Sequence, residues 1–89
     1  MNRVKRNPGE FGRLLKTAVR KIALQQNKNV AVIQDELGYN LDRDSGGAAI
    51  QYWERGNIPA KKQDVEQLKQ ELLELGGLTP EEAVLLEVR

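Results

Sequence analysis

Four polar side chains that can recognise nucleic acid are concentrated around the only tryptophan of the chain, Trp53. They are Gln51, Tyr52, Arg55 and Asn57. Amide side chains donate and accept hydrogen bonds at base edges, whereas guanidinium and phenol groups bind phosphates. Two of them also have a structural alternative: Tyr52 could simply sit at the rim of the surface, and Arg55 could pair with Glu54 or with a helix C-terminus. The residue types therefore suit a nucleic-acid contact, if one surface presents them together.

A short helix is the element that must present these side chains. Residues 48–55 favour helix, and Asp44 or Ser45 supplies a capping side chain at its start. Gly56 can adopt the left-handed conformation that ends a helix. Helical spacing turns Ile50 inward together with the tryptophan, which leaves the polar side chains nearer the outside.

The same stretch resembles a known family. The residues that carry the resemblance are Ile50-x-x-Trp53-Glu54-Arg55-Gly56, then Asn57-Ile58-Pro59-Ala60, then a helix with Val65 and Leu68. On these residues the chain resembles the Cro/repressor-type (XRE, lambda-repressor-like) helix-turn-helix over about residues 10–75, with roughly six extra residues before the recognition helix. The resemblance implies a helix-turn-helix core at about residues 29–56. It also implies regulation of transcription by binding double-stranded DNA, usually as a dimer on paired half-sites.

The resemblance and the basic side chains together predict the DNA contacts. The predicted residues are Arg6, Arg13, Lys28, Asn29, Arg43, Ser45, Gly46, Gly47, Ala48, Gln51, Tyr52, Arg55 and Asn57. The usual base-reading positions fall on residues 46–49, which are Gly and Ala and cannot form bidentate hydrogen bonds to bases. Two more departures are Val30, where the family often has a phosphate-binding Gln, and Gln34, where it often has Ala. We therefore expect affinity to rest mainly on phosphates.

Charge is distributed unevenly along a chain whose net charge is only +1. Residues 1–30 carry eight basic and one acidic side chain, whereas residues 63–89 carry two basic and seven acidic ones. Such asymmetry is typical of a basic nucleic-acid face with an acidic remainder, and the alternative is a solvated helix face.

Composition excludes most catalytic chemistry. The chain has no Cys and no His, which removes thiolate nucleophiles, the usual general base and the commonest metal ligands. We expect no enzyme activity, no cofactor and no metal. Its 89 residues suffice for one domain, and no apolar run is long enough for a secretory signal or a bilayer span. A cytoplasmic protein without a membrane partner is the expectation.

The elements that hold this stretch are predicted from apolar spacing. Residues 1–9 read as a flexible basic arm, and residues 10–89 as a single helical domain. A first helix covers residues 10–26, and a second runs from a cap at Asn29 to a stop at Gly38, with Val30 pointing inward. Residues 39–47 are expected to form a loop. The predicted core comprises Phe11, Leu15, Val19, Ile22, Ile33, Leu37, Ile50, Trp53, Val65 and Leu68.

The C-terminal part of the chain predicts two more helices. The fourth runs from residue 60 or 61 to Leu75, and Gly76 stops it. A capping box, in which Thr79 and Glu82 bond each other's backbone amides, begins the fifth. The last helix is apolar on more than one side, so either it lies across the core or it carries a partner surface, which would serve a homodimer. The dimer contacts are expected at Leu72, Leu75, Leu85 and Leu86.

The prediction is an all-α, compact bundle of about five helices with a lambda-repressor-like helix-turn-helix. DNA binding is the first functional hypothesis. The alternative is a protein-interaction module with the same fold, as the N-terminal domain of a longer signalling protein, because the base-reading positions are small and the loop is enlarged.

Overall fold

Five α-helices make up the part of the chain that the computed structural model describes, residues 8–86, and that part contains no strand. They are α1 (Pro8–Gln26), α2 (Val30–Asn40), α3 (Gly47–Glu54), α4 (Lys62–Glu74) and α5 (Pro80–Leu86). The expected all-α class is confirmed. The predicted basic arm with Arg6 lies almost wholly outside the described residues. No helix within residues 8–86 has both the length and the apolar character needed to cross a membrane.

One hydrophobic core joins all five helices. In α1 the buried residues recur every three or four positions, from Phe11 through Leu15 and Val19 to Ile22, so that one face of this long helix lies in the core. All ten residues that the sequence places in the core are buried. Further buried side chains come from the end of α2, from α4, from the α4–α5 turn and from α5: Leu41, Leu72, Leu78, Ala83 and Leu86.

The start of α2 differs from the prediction. Val30 was expected to point inward, but 38% of its surface is exposed. It is the first residue of α2. The core begins one turn later in this helix, where Ile33 is buried, followed by Leu37. Asn29 occupies the cap position with extended backbone angles, although its side chain forms no capping hydrogen bond.

The prediction that Gly38 ends α2 is wrong. The helix continues to Asn40, and Asp42, with φ 60°, is the residue beyond it that adopts the left-handed conformation. Gly38 is instead buried, because a Cβ there would overlap the carbonyl of Gly46. The glycine thus lets the α2–α3 loop lie directly on the helix. The loop is residues 41–46, shorter at both ends than the predicted 39–47.

The end of the chain follows local signals closely. Gly76, with φ 82°, ends α4, and the capping box before α5 is confirmed. The Glu82 amide donates to the Thr79 hydroxyl, and the Thr79 amide donates to the Glu82 carboxylate, each at 3.1 Å. The expected dimer contacts need correction, because Leu72 and Leu86 are fully buried in the core and Leu75 is half-buried. Of those four residues only Leu85 is well exposed.

Candidate nucleic-acid interface

The position of α3 is fixed by contacts on its inner side. Ile50 and Trp53 are buried in the core, one turn apart. At the C-terminal end of α3, Gly12 of α1 lies so close that a Cβ there would overlap the carbonyl oxygen of Glu54. The outer side of the helix therefore faces solvent in a defined orientation. It presents the exposed residues Ala48, Gln51, Tyr52 and Arg55.

The N-terminus of α3 is capped from another helix. The Gly47 amide donates a 2.9 Å hydrogen bond to the carboxylate of Asp35, which is on α2. The predicted caps, Asp44 and Ser45, are wrong: the cap residue is Gly46, and no side chain of its own neighbourhood takes the role. Asp35 gave no signal in the sequence, because it lies twelve residues before the amide that it binds.

Two of the predicted base-reading residues are inaccessible. Gly46 and Gly47 are buried, the first under the ring of Tyr39 and the second against Asp35. Their neighbours Ser45 and Ala48 are exposed but offer only a hydroxyl and a methyl group. The start of α3 therefore has little with which to read a base edge.

A buried amide holds the polar residues of α3 from beneath. Gln34 of α2 is 6% exposed, and its Nε2 donates to both carboxylate oxygens of Glu54, at 3.2 and 3.1 Å. Its Oε1 accepts a 3.2 Å hydrogen bond from Nε2 of Gln51. One donor of Gln51 is thus occupied, while the residue remains exposed. Glu54 is bound by Gln34, and Arg55 has no ion-pair partner among the described residues.

Arg43, a predicted DNA contact, instead attaches the loop to two helices. Its guanidinium forms an ion pair with Asp64 of α4, and lies 5.4 Å from the centre of the Trp53 ring. The side chain is only 34% exposed. Arg43 therefore stabilises the loop through an ion pair and a cation–π contact, and much of its charge is already neutralised.

A cleft of about 490 Å³ opens beside the C-terminal end of α3. Tyr52 and Asn57 line one side of it, and Lys61, the residue before α4, lines another. Nδ2 of Asn57 donates a 3.0 Å hydrogen bond to the Tyr52 carbonyl, so this amide also closes the end of α3. Lys61 and Lys62 are both exposed. Neither lysine was among the predicted contacts, although the sequence places both just after the Pro59 turn.

The remaining predicted contacts lie on α1 and at the start of α2. Arg13 is exposed and pairs with Glu10, and Lys28 pairs with Glu36 at 3.0 Å. Exposed ion pairs of this kind contribute about 0–1 kcal/mol to stability, so a phosphate can replace the carboxylate as the partner of the basic side chain. Because Gly12 touches α3, Arg13 lies beside the end of that helix, whereas Lys28 and the exposed Asn29 lie at the far end of α1.

Comparison with known proteins identifies no relative: no protein-family profile matches the chain, and no curated protein or solved structure is significantly similar to it. Within residues 8–86 no three acidic side chains come close enough together to hold a metal ion.

Proposed function

We propose that this chain binds double-stranded DNA, with the outer side and C-terminal end of α3 as its contact surface, and that it regulates transcription. The observation that carries the proposal is the set of exposed donors at that end of the helix. Tyr52 is 55% exposed, Arg55 is exposed at the end of the same helix, and the exposed Lys61 lines the same cleft as Tyr52. A phenol and a guanidinium at the end of α3, with an ammonium group across the cleft at the start of α4, suit the phosphates of a duplex.

Affinity should come from phosphates more than from bases. Gly46 and Gly47 are buried, so the start of α3 cannot contact base edges through them. One N–H of the Gln51 amide is already bonded to Gln34. The free carbonyl and second N–H of Gln51 are the main base-edge groups left on the helix. We therefore expect the domain to bind many sequences with similar affinity, and Gln51→Ala to reduce whatever preference exists.

A salt-dependent titration with mixed duplex DNA tests the proposal, because the slope counts the counterions that bound cations release. Arg55→Ala, Lys61→Ala and Arg6→Ala should each weaken binding on all sequences and lower the slope by up to ~1. Lys21→Ala is the matched control. Lys21 lies nine residues after Gly12 on α1, about 180° round the helix, and pairs with Glu82 of α5. Its loss should leave the slope unchanged.

One observation favours the second candidate, a protein-interaction module within a longer signalling protein. The carboxylate of Asp35 occupies the N-terminus of α3, and a phosphate approaching there would meet a like charge. Under this alternative no duplex gives saturable binding even at low salt. Backbone resonances of residues 43–57 then stay in place when DNA is added.

A further inference from the structure

A second surface, distant from the outer side of α3, exposes apolar side chains where α1 connects to α2. It is a groove of about 420 Å³, lined by Arg20, Ala23, Leu24, Lys28, Asn29 and Val30. Leu24 is 84% exposed and Val30 is 38% exposed. An isolated exposed leucine is ordinary, but here it stands at the edge of a concave surface with a second apolar residue across it.

The rim of this groove is basic. Lys28 pairs with Glu36, whereas Arg20 has no ion-pair partner among the described residues. Arg20 also precedes Leu24 by four positions, so both lie on one stripe of α1. An occupant should therefore combine a small apolar face with a negative charge beside it.

The chain itself contains an exposed segment of this chemistry in α5. Val84 is 61% exposed and Leu85 is 59% exposed, while Ala83 and Leu86 on the other side of the helix enter the core. The exposed Glu81 lies one turn before Leu85. The charges along the chain also favour this pairing of a basic groove with an acidic helix. The first thirty residues are strongly basic and the last twenty-seven strongly acidic.

We infer that α5 of one copy of this chain docks in the α1–α2 groove of a second copy, with Val84 and Leu85 against Leu24 and Val30, and Glu81 near Arg20. The two surfaces differ, so the contact is heterologous: each copy offers one groove and one α5. A contact made by two apolar side chains on each copy buries far less than the ~1,200 Å² of stable complexes. Association should therefore be weak and concentration-dependent. The inference does not depend on DNA binding.

Complementation between two variants tests this arrangement. Leu24→Glu destroys the groove and keeps α5 intact, whereas Leu85→Glu keeps the groove and alters α5. Sedimentation equilibrium should show the wild type associating at high concentration and each variant alone weakened by at least about tenfold in affinity. Mixed together, the two variants should form a 1:1 dimer with near wild-type affinity, because one native contact survives.

Val32→Glu is the matched control, since Val32 is also an exposed apolar residue of α2 but does not line the groove. It should leave association unchanged, and circular dichroism should show native helix content for all three variants. A monomeric wild type would overturn the inference. So would unaltered association of Leu24→Glu, which points to an α5–α5 contact, or a mixture that stays monomeric, which points to one symmetric interface.

Discussion

The helices α3 and α5 begin with the same kind of bond, a carboxylate that accepts from a backbone amide, but the carboxylates have different origins. For α5 it comes from Glu82, three residues after the amide of Thr79. For α3 it comes from Asp35 on another helix. A local cap forms whenever its own turn forms, whereas the cap of α3 exists only when α2 lies beside it. The candidate functional helix is therefore the more dependent on the rest of the fold.

The length of α3 reinforces this dependence. It has eight residues, well short of the ~12–15 at which isolated helices become marginally stable in water. Its geometry is held by the core on one side, by Gly12 at its end and by Asp35 at its start. Changes in these contacts should alter α3 first, and the following variants separate them in order of expected effect.

The largest effect is expected from Trp53→Ala. The indole is buried, and its loss removes core packing together with the ring beneath Arg43. We expect the free energy of unfolding to fall by ~3–5 kcal/mol, the range for large aromatic residues leaving a core. Urea denaturation followed by circular dichroism measures it. A loss below about 1 kcal/mol would mean that tertiary contacts matter little to α3.

The next effect concerns the contact between α2 and the loop. Gly38→Ala should destabilise the domain by ~1–3 kcal/mol, because its methyl group would overlap the Gly46 backbone, which cannot easily move. Gly9→Ala is the control. Gly9 is an exposed residue of α1, so that alanine should be neutral or stabilise by up to ~1 kcal/mol. Equal denaturation midpoints for the two variants would refute the close approach.

Asp35 separates capping from charge. Asp35→Ala should cost ~1 kcal/mol through the lost cap, whereas Asp35→Asn keeps an acceptor oxygen and should cost less. If the domain binds DNA, Asp35→Asn should also tighten binding at low salt, because it removes a negative charge near the duplex. Calorimetry gives the first comparison and titration the second. Identical stability of the two variants would show that the hydrogen bond contributes nothing.

The smallest effect is the pH dependence of the α5 cap. The hydrogen bond from the Thr79 amide, aided by Lys21, lowers the pKa of Glu82 below its usual 4.5. A carboxyl whose pKa is lower in the folded state stabilises the protein above its unfolded pKa, and that contribution is lost as the pH falls through the folded pKa. The difference in Tm between the wild type and Glu82→Gln should therefore shrink between pH 7 and pH 3.

Glu81→Gln provides the control for that measurement, since it removes the same charge from the same turn without touching a capping bond. Its difference from the wild type should change less with pH than that of Glu82→Gln. If both differences change equally, general charge effects account for the result.

Prediction from the sequence succeeded where the determining residues are close together. The periodic stripe of α1, the Gly76 stop and the Thr79–Glu82 box all act within a turn or two, and the structure has them as expected. Gly38 was misinterpreted because the reason for it, the backbone of Gly46, is brought beside it only by the fold.

The candidate site was harder to predict for the same reason. The outward positions of Gln51, Tyr52 and Arg55 followed from the helical period of Ile50 and Trp53. The partners that limit what the site can do, Asp35 and Gln34, belong to the other helix, and no spacing rule links them to α3. The helices themselves could be predicted from the sequence, but the contacts between helices could not.

The stacking of Arg43 on Trp53 makes the chain's only indole an optical probe of the α2–α3 loop. If residues 41–46 lift away from α4, the guanidinium leaves the ring and water reaches that side of it, while the core below stays closed. Emission from Trp53 would then shift at constant helix content. Its fluorescence should distinguish a local opening of the loop from unfolding of the whole domain, without any added label.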